Sequence, residues 1–259
     1  MFVPEMILWL KENLKKLMLL IFRPENLFVS VTTDEKGYLG VEGRVSTLRH
    51  LLYQTPVQTG KIHYDLEQKN EGFSTAGQVQ YVAVSGNYKE AGYAYTGALR
   101  ILKVILSYDY LWMNIRVKGG AYGCMSGFSR TGEGYFVSYR DPNLGRTLEI
   151  YDGVPEYLEN FTVSERDMTK YIIGTISNID QPMTPATKGD RSMNLYMNHV
   201  SAEMIRKERE QILTANQEDI RALAGVARAV LANDQICVIG NEAKIEEEKE
   251  LFMTVENLF

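Results

Sequence analysis

RVKGGAYG, residues 116–123, places an arginine, a lysine, three glycines and a tyrosine between a long apolar stretch and a segment with the character of a strand. Glycine lets backbone turn sharply or pass close to another surface. A turn explains the glycines but leaves Arg116 and Tyr122 over. Arg116 supplies a fixed cation with several donors, and Tyr122 a phenolic hydroxyl. Together they suit the binding of a peptide carbonyl, and such donors stabilise developing oxyanion charge if a catalytic centre lies opposite. The alternative is structural: Arg116 paired to a carboxylate at the core edge, Tyr122 packed beside the sheet.

Outward from this stretch the chain alternates strands with long helices. Upstream, QVQYVAVSG (78–86) reads as a strand, followed by a long helix with Ala94, Ala98, Ile101, Leu102 and Ile105 on its buried side that runs into YLWMNIR. Downstream, residues 124–141 read as a hairpin turning at RTGEG. Residues 144–158 carry apolar positions at helical intervals, and Ser164 with Asp167 caps a helix through Met168, Tyr171, Ile172 and Ile176. DQPMTPATKGD is a break, then helices are expected near 190–212 and 215–232. A short strand, QICVIG (235–240), precedes NEAKIEEEKELF, a charged helix that ends the chain.

Nearer the start, LFVSVTT (27–33) reads as a strand, DEKGYLG as a turn, and residues 41–54 as a helix with Val41, Val45, Leu48 and Leu52 on one face. Residues 56–75 show no sustained periodicity. In the first helix Leu10, Leu14, Leu17 and Ile21 recur at helical spacing, predicting a core-facing amphipathic helix; a membrane-surface helix is the alternative. Glu5, Lys11, Glu12, Lys15 and Lys16 interrupt it too often for a transmembrane span or a signal segment. Nothing divides residues 1–259, so an α+β layered domain with helices against one sheet is expected.

Composition narrows the function. With 45% hydrophobic and 24% charged residues the chain is globular, and a net charge of -5 gives no footprint for nucleic acid. Two cysteines, Cys124 and Cys237, form no secreted framework, and a reduced, cytoplasmic setting is the default. His50, His63 and His199 sit in no HExxH or HxxEH arrangement and have no cysteine at metal-ligand spacing, so neither a metal nor a cofactor site is expected. There is no GxSxG elbow, no phosphate loop and no strand-first GxGxxG. Cys124 has no histidine nearby in sequence and reads as a buried strand cysteine.

RVKGGAYG, the helix before it and YFVSYRDPN (135–143) together resemble the last domain of the pitrilysin/insulinase-type zinc peptidases, most of all the presequence-protease branch. The resemblance covers most of the chain and is weaker over the first twenty-odd residues. It implies a two-layer, metallopeptidase-like α+β domain with a mainly antiparallel sheet packed against helices. It further implies that residues 1–259 are the C-terminal, noncatalytic, substrate-facing domain of a larger four-domain peptidase whose zinc site, an HxxEH motif, lies in the N-terminal domain. By motif, Arg116 and Tyr122 take the roles of the arginine and tyrosine that hold substrate backbone and polarise the scissile peptide. The partners implied are the remaining peptidase domains and unstructured peptides, without stable membrane insertion; self-association of the isolated piece is expected. The competing reading is a structural or peptide-binding domain of an inactive family member. Cys124 departs from the pattern, which often has a small residue such as glycine there; cysteine is itself small, so the fold is not threatened.

Overall fold

The computed structural model describes residues 4–58, 60–65, 67, 69–233 and 235–258. They fall into two compact units, Met1–Asp65 with Pro182–Ser201, and Leu66–Gln181 with Ala202–Phe259.

The larger unit is built on a six-stranded sheet: β1 (Glu71–Thr75), β2 (Gln80–Asn87), β3 (Gly123–Phe128), β4 (Glu133–Asp141), β5 (Gln235–Asn241) and β6 (Thr254–Asn257), in the order β3-β4-β2-β5-β1-β6. The β3–β4, β4–β2 and β2–β5 pairs are antiparallel, and β1 runs parallel to both β5 and β6. Alternation writes the faces: Val82 and Val84 of β2, Phe136 and Ser138 of β4, and Ile236 and Val238 of β5 point inward, while Tyr81, Tyr135 and Ile239 remain exposed. The hairpin joining β3 to β4 turns at Gly132, whose φ of 111° favours glycine.

Helices cover the inner face. In α3 (Ala98–Ile105) Leu99, Ile101, Leu102 and Ile105 are buried, each contributing about 1.5–3 kcal/mol by leaving water. They share one core with residues of α4 (Gly145–Asp152), α5 (Val154–Glu159), α6 (Glu165–Ile179), α9 (Gln217–Arg221) and α10 (Ala224–Leu231). Ser164 caps α6 by accepting from the Asp167 N–H at 3.2 Å, as its spacing predicts. After Ile105 the helix widens into π-helical turns, Leu106–Tyr110 and Trp112–Val117. The Lys118 N–H donates to the Met113 carbonyl at 3.0 Å, five residues back, a pattern that occurs often at functional sites.

Several expectations are corrected. Ala94 lies exposed in the loop before α3, because Gly92 adopts a φ of 87° and the helix begins only at Ala98. The 144–158 stretch divides into α4 and α5, with Pro155 in the first turn of α5. The expected helix over 190–212 is two, α7 (Pro185–Met197) and α8 (Ala202–Leu213). His199 takes a left-handed φ of 54° and the Val200 N–H donates to the Leu195 carbonyl at 2.8 Å, closing α7. β1 emerges from the stretch without periodicity. The charged terminal helix is only α11 (Glu242–Glu247), followed by a 3-10 turn and the short edge strand β6.

The smaller unit contains α1 (Pro4–Ile21), α2 (Glu35–Leu51) and α7. α1 does not face a core: Ile7, Leu8, Trp9, Leu10, Leu14, Leu17, Leu20 and Ile21 are all exposed, so its apolar surface extends beyond the predicted stripe. DEKGYLG is the first turn of α2 rather than a loop, because the Asp34 carboxylate accepts from the Gly37 N–H at 2.8 Å and caps it. LFVSVTT forms no strand, since a strand requires another strand to pair with and none pairs with it among the described residues.

Candidate functional site

Arg116 and Tyr122 meet at the end of the sheet where the widened helix turns into β3. Arg116 projects from the second π-helical run four residues after Trp112, and its guanidinium carbon lies 4.2 Å from the centre of the Trp112 ring and 5.8 Å from that of Tyr122. Tyr122 is 58% exposed, and its ring meets that of Tyr139 edge-on at 5.5 Å. No carboxylate lies within ion-pair distance of Arg116 among the described residues. The structural alternative for Arg116, a core-edge ion pair, is therefore not what the fold provides: its cation lies over aromatic rings and the residue is exposed.

The glycines between them shape the turn. Gly120 has a φ of 82°, and its N–H donates to the Arg116 carbonyl at 3.0 Å. The Ala121 N–H reaches back to Ile115 at 3.1 Å, so the reversal is closed by its own backbone. At Gly119 a side chain would run into the carbonyls of Ile115 and Asn114. Gly123 lies under the Tyr139 ring, which occupies the space a side chain would need.

The SYRDPN segment holds the RVKGGAYG turn. Asp141 is fully buried and accepts from the Thr147 hydroxyl at 2.8 Å and from the Asn143 N–H at 2.9 Å. The Asn143 side-chain amide, oriented by Asp141 at 3.3 Å, donates to the Gly119 carbonyl at 2.7 Å. SYRDPN thus clamps KGG, and the two motifs form one device. Trp112, Asp141 and Asn143 are parts of it that sequence reasoning did not single out. The available signal was an acid, a proline and an amide ending a strand, the composition of a side-chain-bonded turn.

Cys124 takes no part. It is half-buried in β3, and burial, reinforced by the charge of Asp141 and opposed by Arg116, pushes its thiol up to about 11. A thiol held protonated is a poor nucleophile. His50 bonds the Ser46 carbonyl at 2.7 Å on exposed α2, His63 lies exposed in the segment after it, and His199 is the turn residue closing α7. Among the described residues no three His, Cys, Asp or Glu side chains gather as metal ligands, so these residues do not fit a zinc site. No helix among them is long and apolar enough to cross a membrane.

Residues 70–242 match the family model of the PreP C-terminal domain. The chain belongs to that family. Protein HypA of Clostridium perfringens is 45% identical over 249 residues, covering 96% of this chain and 26% of that protein. Presequence protease 1, chloroplastic/mitochondrial, of Arabidopsis thaliana is 36% identical over 226 residues, covering 83% of this chain and 21% of its own length. The chain therefore spans about a quarter or less of the length of these two relatives. Its fold is also that of part of pitrilysin, with a TM-score of 0.53 at 11% identity over 80% of this chain and 23% of that one. The pitrilysin-type, two-layer α+β architecture with three antiparallel strand pairs out of five agrees with the fold expected from sequence.

Proposed function

We propose that residues 1–259 are the C-terminal, noncatalytic, substrate-facing domain of a larger zinc endopeptidase that degrades unstructured peptides, with the metal held elsewhere in the longer chain. The observation that carries this reading is the convergence of Arg116 and Tyr122 on one exposed face, with their donors free and the turn between them clamped from behind by Asn143. Donors held this rigidly cost little reorganisation when a substrate carbonyl arrives. Arg116 grips peptide backbone, and the Tyr122 hydroxyl bonds the carbonyl being polarised.

The remaining peptidase domains are the partners we assign to α1. Leucines exposed along α1 beside its charged residues form an apolar surface that a partner covers, and in isolation this surface drives self-association.

The test compares peptide hydrolysis and bound zinc for this 259-residue chain and for its full-length parent, with Arg116→Ala and Tyr122→Phe introduced into the parent. Zinc and cleavage are expected only in the parent, with each substitution lowering kcat/KM by about tenfold or more, the loss typical of an electrostatic contact to developing charge. Unchanged kinetics in both variants would refute the assigned roles. Zinc-dependent cleavage by the 259 residues alone would refute the noncatalytic reading.

A further inference from the structure

β4 does not finish as it begins. Gly134, Phe136 and Ser138 point into the core, so strict alternation would carry Arg140 inward beneath the helices. Opposite β2 the register slips: Val82 faces Ser138 but Gln80 faces Asp141, which leaves Tyr139 and Arg140 together across from Tyr81. This is a β-bulge, an extra residue that re-aims the side chains around it. Asp141 takes the buried place, and Arg140 is turned out to solvent with a φ of 50°, in the left-handed region that residues other than glycine seldom adopt.

The bulge delivers Arg140 to Tyr122. The Tyr122 N–H donates to the Arg140 carbonyl at 3.3 Å, and the Arg140 guanidinium carbon lies 5.6 Å from the Tyr122 ring centre. Arg116 stands 5.8 Å from the same centre. Neither guanidinium has a carboxylate within ion-pair distance among the described residues, and the nearby Asp141 is buried with its oxygens already bonded. Lys118, exposed on the same turn, has its ammonium bonded, among the described residues, to the neutral side chain of Asn114. On a chain with a net charge of -5, these residues gather uncompensated positive charge beside one phenol.

We infer that Arg140 is a third substrate-contacting residue, closing with Arg116 about Tyr122 to receive a carboxylate of the bound peptide. The inference rests on the substrate-facing reading above and adds a charge preference to it. Guanidinium forks match carboxylate geometry, which an exposed lysine does not. A peptide can offer that group at its C-terminus or on an acidic side chain.

Arg140→Gly tests this, because glycine keeps the left-handed backbone and removes only the side chain. Three fluorescent unstructured decapeptides of Gly, Ser, Ala and Leu serve as probes: one with a free C-terminal carboxylate, one amidated, and one amidated with an internal glutamate. Binding to the 259-residue chain is followed by anisotropy, with circular dichroism checking the fold of each variant. The unsubstituted chain is expected to bind at least one carboxylate-bearing peptide about fivefold more tightly than the neutral amide, the scale of an exposed ion pair. Arg140→Gly is expected to remove most of that preference, weakening the favoured carboxylate peptide several-fold more than the neutral one, with Arg116 left to supply the remainder. Whichever charged peptide shows the preference identifies the source of the carboxylate. Equal binding of all three peptides, or equal weakening of all three in the variant, overturns the inference and leaves the substrate-facing reading standing. Failure of every peptide to bind overturns both.

Discussion

Replacing Asn143 by alanine removes the amide that ties SYRDPN to KGG while leaving every group of Arg116 and Tyr122 in place. Two hydrogen bonds go: the donation to the Gly119 carbonyl at 2.7 Å and the longer one to Asp141 at 3.3 Å. A neutral bond of the first kind contributes about 1 kcal/mol net. The second, to a charged partner but stretched, adds about as much, so the local loss is about 2 kcal/mol. Asp141 keeps the Asn143 backbone N–H and the Thr147 hydroxyl, which confines the damage to the turn. Native-state hydrogen exchange reads this directly. The Gly120 and Ala121 amides, which close the reversal onto Arg116 and Ile115, are expected to exchange roughly thirtyfold faster. Core amides of β2 and β4 would shift together by no more than the global loss. Peptide affinity is expected to fall in parallel, because the two donors no longer share one frame. Exchange at Gly120 and Ala121 within twofold of the parent would show that the turn stands without Asn143, and the clamp would be wrong.

Three further outcomes are expected. Glu208 is almost wholly buried and bonded to Arg100, Arg130 and the Tyr95 hydroxyl, so Glu208→Ala is expected to destabilise the larger unit by about 3 kcal/mol in urea unfolding; a loss below 1 kcal/mol would reduce the cluster to decoration. The Cys124 thiol, at about 11 in the fold against an ordinary 9.0, stays protonated while the unfolded chain ionises. Its contribution to stability therefore declines as pH rises from 9 to 11, and Cys124→Ala is expected to flatten that part of the slope; identical slopes would remove Cys124 as its cause. Leu10→Lys with Leu17→Lys, on exposed α1, is expected to reduce self-association in light scattering with no change in the melting of the larger unit; an unaltered mass would place the association elsewhere.

The layered core was legible because its signals are local and repeated. The hairpin across 124–141, the apolar face of α3 and the Ser164 cap all follow from alternation, helical spacing and capping chemistry. What was not legible depended on partners distant in sequence. LFVSVTT has the composition of a strand, yet composition cannot supply the neighbour that makes it one. The spacing of Leu10, Leu14 and Leu17 is that of a buried stripe, but burial requires something to lie against, and α1 is bare. β6 escaped notice because MTVEN carries no alternation of burial: it is a short edge strand, exposed throughout.

The bulge in β4 shows the same limit at the scale of a single residue. Reading YFVSYRD by twos assigns Arg140 to the core, a place an unpaired guanidinium cannot hold. Moving the register by one residue exchanges it for Asp141, whose short carboxylate meets Thr147 and Asn143 inside the fold. Burial of the acid and exposure of the base are thus one event. The acid fixes Asn143 and through it the Gly119 carbonyl, while the base is set beside Tyr122. Positioning of the RVKGGAYG turn and presentation of the Arg140 cation share a cause, so a change that restores regular pleating to β4 should disable both together. Because that cause lies in the pairing of β4 with β2, some sixty residues apart, it could not be read from either motif alone.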